Sequence, residues 1–518
     1  MAQEATPSTA ESAQQQAPEA VPAPPAANEQ PRFFIREYRI EGNTVLETRT
    51  VEKAVYPFLG ENRSIDDVEK ARASLEKAYH DAGYSTVFVD IPEQDVVGGV
   101  VRLKATEGRV SRLRVTGSRY FSPLRIRDKV PALAQGDVPN LPEVQKQLSE
   151  LNRKSGDRSI VPLLRPGKTP GTVEMELRVK DEFPLHGSLE ANNRYSLNTT
   201  HSRALGSLRY DNLFQREHSI SLLYQTAPEE TDEVDVWSLT YLLRPEEGDN
   251  LWVFYGVRSR SNVAAVNSLT VIGRGDIFGL RFIAPIASND GIAHRFTTGV
   301  DKKNFEDNVL SPIDYLTWIV QYNGDAHGAA STSRFNVSAN FGIRGVGNSD
   351  QEFADKRFLA RPNYFYVRGG IEHTHKFWGD TAVFVKFEGQ KADSPLVSNE
   401  QFSAGGAESV RGYPEALQLG DDGVRATLEL QSPSFASTLG TSLDDLMFIA
   451  FGDYARLSVQ EPLPEQRSVF KLAGAGVGMR MKAWRSLNFE LDWAYALKDS
   501  ASVHVGDQRL HGRLEYTF

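Results

Sequence analysis

The chain has no cysteine among its 518 residues. A protein of this length without a thiol has neither a disulfide scaffold nor a zinc–thiolate site, and the absence suits an oxidising compartment. Long apolar runs are missing too, because the longest are only a few residues, whereas a membrane-spanning helix needs about 20. A strand of a membrane barrel needs only about 9–11 residues, with every second one apolar. The sequence therefore excludes spanning helices and is compatible with a spanning barrel.

Several motifs of nucleotide-binding proteins and hydrolases are absent as well. The chain contains no Gly-x-x-x-x-Gly-Lys-Ser/Thr, no Gly-x-Ser-x-Gly and no His-Glu-x-x-His. Nothing therefore points to nucleotide-driven work, to a serine hydrolase or to a zinc protease. The formal net charge of −10 gives no electrostatic reason to bind nucleic acid. We predict that the chain is not an enzyme, uses no metal or cofactor and has no nucleic-acid partner.

Residues 1–31 contain neither Lys nor Arg and are rich in Ala, Pro and Gln. Such a composition cannot bury a hydrophobic core. We therefore predict a disordered tail or linker for residues 1–31.

A pattern of strand, helix, helix, strand and strand occurs twice after this tail. The first copy covers residues 32–108 and the second covers residues 109–182, with Gly42 and Gly117 each closing the first strand of a copy. Tandem copies of this size are typical of small α+β domains. The sequence therefore predicts two related domains before residue 183.

From residue 183 to residue 518 helical periodicity disappears, and apolar and polar residues alternate along short segments. Val383, Val385 and Phe387, for example, lie on one face of a predicted strand, opposite Lys386, Glu388 and Gln390. Sixteen strands are predicted, beginning near Gly187, Ser202, His218, Asp235, Asn250, Val271, His294, Asp314, Ser331, Phe365, Thr381, Gly423, Leu446, Lys471, Ser486 and His511.

A soluble β-sandwich alternates in the same way, but two features favour a membrane barrel. The polar face is charged on almost every strand, and short turns alternate with longer loops. Trp378, Trp484 and Tyr516 stand near strand ends, where the aromatic girdle of a barrel meets the membrane interface. We predict a mainly β protein, with a 16-stranded antiparallel transmembrane β-barrel over residues 183–518 that carries a long loop at residues 393–422.

The long loop contains the sequence SAGGAESVRGY at residues 403–413. Its Val410-Arg411-Gly412-Tyr413 resembles the signature of the long extracellular loop in the POTRA–barrel superfamily, which includes BamA and the two-partner secretion transporters. The two α+β domains resemble POTRA domains. Two copies and sixteen strands resemble the transporter branch, the TpsB proteins of the FhaC, ShlB and HecB type, over residues 33–518.

The resemblance implies where the loop lies. In that family the loop folds back into the barrel, and its arginine meets the aspartate of an F-x-D motif, which matches Phe451-Gly452-Asp453 here. Phe451 and Asp453 are two residues apart on a strand, so they share one face, and the resemblance implies that this face is the lumen. On the next strand Gly474, Gly476 and Gly478 form a face without side chains. If that face is inward, it leaves room for the loop.

The resemblance also implies a function. Such proteins lie in the Gram-negative outer membrane with their POTRA domains in the periplasm, and they export a large unfolded TpsA-type exoprotein without nucleotide. POTRA domains can hold an extended chain by strand addition at a sheet edge. Other expected partners are outer-membrane lipid and the assembly machinery, which would recognise the C-terminal strand ending at Phe518. A BamA-like insertase and a passive porin or receptor remain alternatives.

Overall fold

The computed structural model describes residues 31–261, 263–266, 269–288, 291–306, 312–347, 349–439 and 442–518. The predicted tail, residues 1–31, lies outside the described residues except for its last one. Among the described residues, no helix is both long enough and apolar enough to cross a membrane.

The first α+β domain has a three-stranded sheet with its last strand, Val100–Glu107, in the centre. This strand pairs in parallel with Glu37–Glu41 and antiparallel with Val87–Asp90. The helix Ile65–Asp81 begins after Ser64, whose backbone N–H donates to the Asp67 carboxylate at 3.0 Å, as in a capping box. The other elements are the strands Phe33–Ile35 and Gly60–Arg63, the helix Thr48–Val55 and the 3-10 turn Tyr56–Phe58. The core contains Val68, Ala71 and Leu75, as their helical spacing predicts, together with Tyr79.

The second α+β domain repeats this order. Its central strand, Thr172–Asp181, pairs in parallel with Arg109–Thr116, and Arg158–Pro166 forms the other edge of the sheet. The helices are Pro123–Asp128 and Leu141–Lys154, with a 3-10 turn at Pro131–Leu133.

Two glycines occupy equivalent turns in the two domains. Gly42 and Gly117 have φ of +85° and +83°, a conformation that disfavours residues with a Cβ. A Cβ would also lie 2.3 Å from the carbonyl oxygen of Ala105 in the first domain and 2.3 Å from that of Val179 in the second. These positions therefore require glycine for the same two reasons.

The turn after each glycine is held by an acidic residue at the end of the central strand. The Glu107 carboxylate accepts hydrogen bonds from the N–H groups of Thr44 and Val45, and the Asp181 carboxylate accepts them from three consecutive N–H groups beginning at Arg119. Burial raises the pKa of Asp181, but these N–H groups outweigh it and hold the pKa below its usual value. The duplicated sequence pattern thus has a duplicated hydrogen-bond pattern.

Sixteen antiparallel strands form a closed barrel, as predicted. In chain order they are Leu185–Asn192, Arg203–Leu213, His218–Thr226, Asp235–Leu243, Leu251–Arg260, Arg274–Ile286, Ile292–Glu306, Ile313–His327, Ser331–Gly347, Phe365–Lys376, Ala382–Ala392, Asp422–Gln431, Leu443–Ser458, Val469–Ala483, Leu487–Ala496 and Gln508–Thr517. Every predicted strand start lies within three residues of an observed one. The long loop spans residues 393–421, because the twelfth strand begins one residue earlier than predicted.

Alternation along the barrel strands separates two surfaces. Trp237, Phe278 and Leu428 are exposed on the outer surface, whereas Glu388 and Arg425 pair on the inner surface at 2.7 Å. An apolar exterior and a charged interior are the arrangement that a bilayer requires of a barrel.

Several short elements lie outside the barrel wall. They are the hairpins Val263–Val266 with Leu269–Ile272 and Phe402–Ala404 with Gln418–Gly420, the helices Asp350–Lys356 and Ala436–Leu439, and the 3-10 turns Trp378–Asp380 and Ser398–Glu400. The strand pattern alone did not predict them.

The barrel closes between its first and last strands. Pairing runs from Arg513 with Asn192 to Thr517 with Ser188. Phe518 extends it, because its N–H donates to the carbonyl of Gly187 at 3.0 Å and its own carbonyl accepts from the Gly187 N–H at 2.9 Å. A Cβ at Gly187 would lie 2.3 Å from the Phe518 ring. The C-terminal aromatic ring thus covers a glycine of the first strand.

Candidate functional site

The long loop, residues 393–421, folds into the barrel, and we call it the arginine loop. Val410 and Tyr413 are fully buried, and Arg411 is 3% exposed. The loop enters and leaves through the hairpin of Phe402–Ala404 with Gln418–Gly420.

Small residues allow the chain to turn at the end of this hairpin. Gly405 and Gly406 have φ of +111° and +109°, and a Cβ at Gly406 would lie 2.0 Å from the Glu415 carboxylate. Only glycine adopts this conformation in so little space. The small-residue stretch before Arg411 therefore has a steric cause.

Arg411 contacts Asp453 through three hydrogen bonds. Its Nε and Nη2 donate to the two carboxylate oxygens at 2.8 and 2.9 Å, and its backbone N–H donates to Oδ2 at 3.0 Å. The Asp453 side chain is inaccessible to solvent and that of Arg411 is 4% exposed. A bidentate, charge-assisted contact in a restricted space fixes direction as well as distance. The structure therefore brings together the arginine and the aspartate that the sequence singled out.

Phe451 supports the same guanidinium from the side. The Cζ atom of Arg411 lies 3.4 Å from the centre of the Phe451 ring, and Phe451 is 6% exposed. A desolvated guanidinium over an aromatic face is attracted by the ring. Both side chains of the F-x-D motif thus contact Arg411.

Two further carboxylates near Arg411 were not predicted. Nη1 of Arg411 donates to Glu429 at 2.7 Å and lies 3.6 Å from Asp492, and Arg480 forms a bidentate pair with Asp492 at 2.6 and 2.9 Å. Three carboxylates therefore face two guanidinium groups. The alternation of apolar and polar residues along the strands predicts that Glu429 and Asp492 point inward. It does not predict that they lie close to Arg411.

Gly412 and Tyr413 attach the loop to the last three strands of the barrel and to the turn after the fifteenth strand. Gly412 has φ of +97°, and its N–H donates to Nε2 of His511 at 3.1 Å. The Tyr413 hydroxyl lies 2.7 Å from the carbonyl of Lys498 and 3.0 Å from that of Ala473. The sequence predicts a strand near His511 but not its contact with the loop, because no motif links the two.

The three glycines of the fourteenth strand border the site at different points. A Cβ at Gly474 would lie 2.0 Å from the carbonyl oxygen of Arg411. One at Gly476 would lie 2.0 Å from the carbonyl oxygen of Trp493 and 2.7 Å from the Phe451 ring. A Cβ at Gly478 would lie 2.0 Å from the carboxylate of Asp492. Gly474 therefore makes room for the loop backbone, whereas Gly476 and Gly478 make room for the backbone and side chains of the wall.

A cavity of about 260 Å³ adjoins the guanidinium of Arg411. Most of its lining is charged and comes from both the loop and the wall: Arg194, Glu372, Phe384, Lys386, Ala407, Glu408, Arg411, Thr427, Glu429, Arg480, Glu490, Asp492, His511, Gly512 and Arg513. The space beside the loop is thus polar.

Two family models match the chain. One, described as POTRA domain, ShlB-type, matches residues 33–108. The other, described as haemolysin secretion/activation protein ShlB/FhaC/HecB, matches residues 303–481, which include the arginine loop.

Curated relatives and solved structures agree with these matches. The chain is 22% identical to outer membrane transporter CdiB of Dickeya dadantii over 495 residues, 89% of this chain and 83% of the relative. The structure of CdiB from Escherichia coli has a TM-score of 0.60 at 19% identity and covers 96% of this chain and 93% of that one. BamA from Haemophilus ducreyi lacking POTRA domains 1–3 has a TM-score of 0.58 at 13% identity, covering 94% and 100%. At these identities the two structures show a shared fold. The chain is a member of the POTRA–barrel superfamily and a homologue of the CdiB and ShlB/FhaC/HecB transporters.

Proposed function

We propose that the chain exports one large exoprotein, delivered unfolded from the periplasm, through the lumen of its barrel. The barrel lies in the outer membrane and the POTRA domains lie in the periplasm. The observation that carries the proposal is the arginine loop, which occupies the lumen and is held by the contact of Arg411 with Asp453. A loop held by noncovalent contacts can leave and return, so it can open a path during export and close it afterwards.

The α+β domains, residues 32–108 and 109–182, are proposed to receive the exoprotein before it enters the barrel, residues 183–518. The edge strands Val87–Asp90 and Arg158–Pro166 support this role, since a sheet edge can accept an added strand. Exposed apolar side chains on both edge strands, such as Phe88 at 60%, offer contacts for the side chains of an extended segment.

The relatives are transporters, and the proposed export has no catalytic step. Paired charges of the inner wall, such as Glu388 with Arg425, provide a polar surface for an unfolded chain. The outer surface, rich in exposed apolar residues, is proposed to contact outer-membrane lipid. We propose that the assembly machinery recognises Phe518 while the barrel closes.

A BamA-like insertase is the second candidate. The observation in its favour is the seam of the barrel, where the ladder pairs residues 513–517 with residues 188–192 and is extended only by Phe518 with Gly187, so the first and last strands share few hydrogen bonds. A passive porin would leave the buried contact of Arg411 with Asp453 without a purpose.

Deletion of the gene tests the proposal. The proteins of the culture supernatant and of the outer membrane are compared by mass spectrometry, with and without the gene, under conditions in which candidate exoproteins are transcribed. We expect one large exoprotein to disappear from the supernatant, while other outer-membrane barrels keep their abundance. A general loss of outer-membrane barrels would instead identify an insertase, and an unchanged supernatant would contradict export.

A further inference from the structure

A second charged cluster holds the base of the arginine loop. Glu400 is 2% exposed, and its Oε1 accepts from the Lys303 ammonium at 2.6 Å and from the Tyr315 hydroxyl at 2.7 Å. Its Oε2 accepts from the Tyr366 hydroxyl at 2.9 Å. Both carboxylate oxygens thus receive hydrogen bonds from the barrel wall. We call Glu400, Lys303, Tyr315 and Tyr366 the Glu400 cluster.

The Glu400 cluster is largely shielded from solvent. The side chain of Glu400 is 1% exposed and that of Lys303 is 10% exposed, and Phe305, Leu396 and Val397 belong to the apolar cluster around them. A buried charge is stable only when it is paired and hydrogen-bonded. Glu400 and Lys303 therefore depend on each other, and the loop cannot leave this place without exposing both charges.

The Glu400 cluster and Arg411 contact different parts of the wall. Lys303, Tyr315 and Tyr366 belong to the seventh, eighth and tenth strands, whereas Glu429, Asp453, Asp492 and His511 belong to the twelfth, thirteenth, fifteenth and sixteenth. Because the barrel is closed, these groups of strands lie on different sides of the lumen. The arginine loop therefore contacts both groups of strands and crosses the space between them.

We propose that Glu400 is a positioning residue for export: with Lys303, Tyr315 and Tyr366 it forms a second anchor that holds the base of the arginine loop and keeps the resting barrel closed. The proposal rests on the proposed function for its role in export, but the closing effect does not require an exoprotein. The second anchor acts independently of Arg411, so its loss opens the lumen even when the contact of Arg411 with Asp453 is intact.

Ion conductance of the purified barrel in planar lipid bilayers tests the second anchor. Glu400→Ala removes the acceptor and leaves the Lys303 charge buried without its partner, so we expect a several-fold rise in mean conductance. The double variant Glu400→Gln/Lys303→Met removes both charges and keeps an acceptor for the tyrosine hydroxyls, so we expect conductance near the original value. Heat-modifiable migration on gels verifies that each barrel is folded.

Thr317→Val is the matched control. The Thr317 hydroxyl forms a buried hydrogen bond of 2.7 Å with the Tyr364 hydroxyl, and neither residue belongs to the arginine loop or hydrogen-bonds to Glu400. We expect its conductance to stay at the original value. An equal rise in Thr317→Val, or unchanged conductance in folded Glu400→Ala, would overturn the proposal.

A milder variant decides the question if Glu400→Ala does not fold. Tyr366→Phe removes one hydroxyl from the Glu400 cluster and keeps the ring, so we expect a smaller rise in conductance; conductance equal to the original would overturn the second anchor. A rise in conductance in a protein whose deletion leaves the supernatant unchanged would refute export while supporting the anchor.

Discussion

Arg411→Ala is expected to abolish export of the exoprotein while the barrel remains assembled in the outer membrane. The substitution leaves Asp453 buried without the cation that compensates it, and loss of one partner of a buried pair costs about 3–5 kcal/mol. The cost falls on the position of the loop, because Arg411 belongs to the loop and Asp453 to the wall. Exoprotein in the supernatant is measured by immunoblot, and the folded barrel is measured by its heat-modifiable migration.

Arg281→Ala separates loss of the loop contact from a general effect on the barrel. Arg281 and Asp301 form another bidentate pair, at 2.7 Å for both hydrogen bonds, in which Asp301 is buried and Arg281 is 15% exposed, but both belong to the wall. We expect Arg281→Ala to retain much more export than Arg411→Ala at equal amounts of folded barrel. Export by Arg411→Ala at the original level would refute the role of the loop contact.

Gly474→Val is the second substitution with a large expected effect. A Cβ at this position would lie 2.0 Å from the carbonyl oxygen of Arg411, which is far inside van der Waals contact. Overpacking of this kind costs about 1–3 kcal/mol, and the loop backbone is the neighbour that must move. We therefore expect export to fall strongly and the loop to become accessible to external protease, both measured on intact cells.

Gly452→Val is the control for Gly474→Val on the neighbouring strand. A Cβ at Gly452 meets nothing within 4 Å, although the residue lies between the two functional side chains of the F-x-D motif. We expect export by Gly452→Val to equal that of the original protein. If the two variants lost export to the same extent, the effect of Gly474→Val would not depend on its contact with the loop. The steric explanation of Gly474 would then be wrong.

The barrel was predictable because the pattern that marks each strand depends only on residues close together in the sequence. Each strand must present apolar residues to lipid and polar residues to the lumen, so a period of two marks every strand in the sequence. The glycine turns at Gly42 and Gly117 were visible for the same reason, since a turn with positive φ favours glycine wherever it occurs. Closure into one sheet follows from the bilayer, because an open sheet edge would leave backbone N–H and C=O groups without partners in lipid.

The surroundings of Arg411 and Glu400 were not predictable in this way. Many inward-facing carboxylates have the same sequence pattern as Glu429 and Asp492, and only the stagger of the closed barrel decides which of them reach the loop. Ser349 with Glu352 is a capping box that the sequence displays, but it does not show that the following Phe353 packs fully buried against Tyr315. Resemblance supplied the pair of Arg411 with Asp453, because alternation alone relates neither residue to the other.

The most direct test of the central claim is site-specific photo-cross-linking of an exoprotein that is stalled during export. Probes are placed at two adjacent residues of the twelfth strand: Thr427, which lines the cavity beside Arg411, and Leu428, which is 56% exposed on the outer surface. Passage through the lumen predicts cross-links to the exoprotein from position 427 and none from position 428. Capture from position 428 alone would contradict export through the barrel interior.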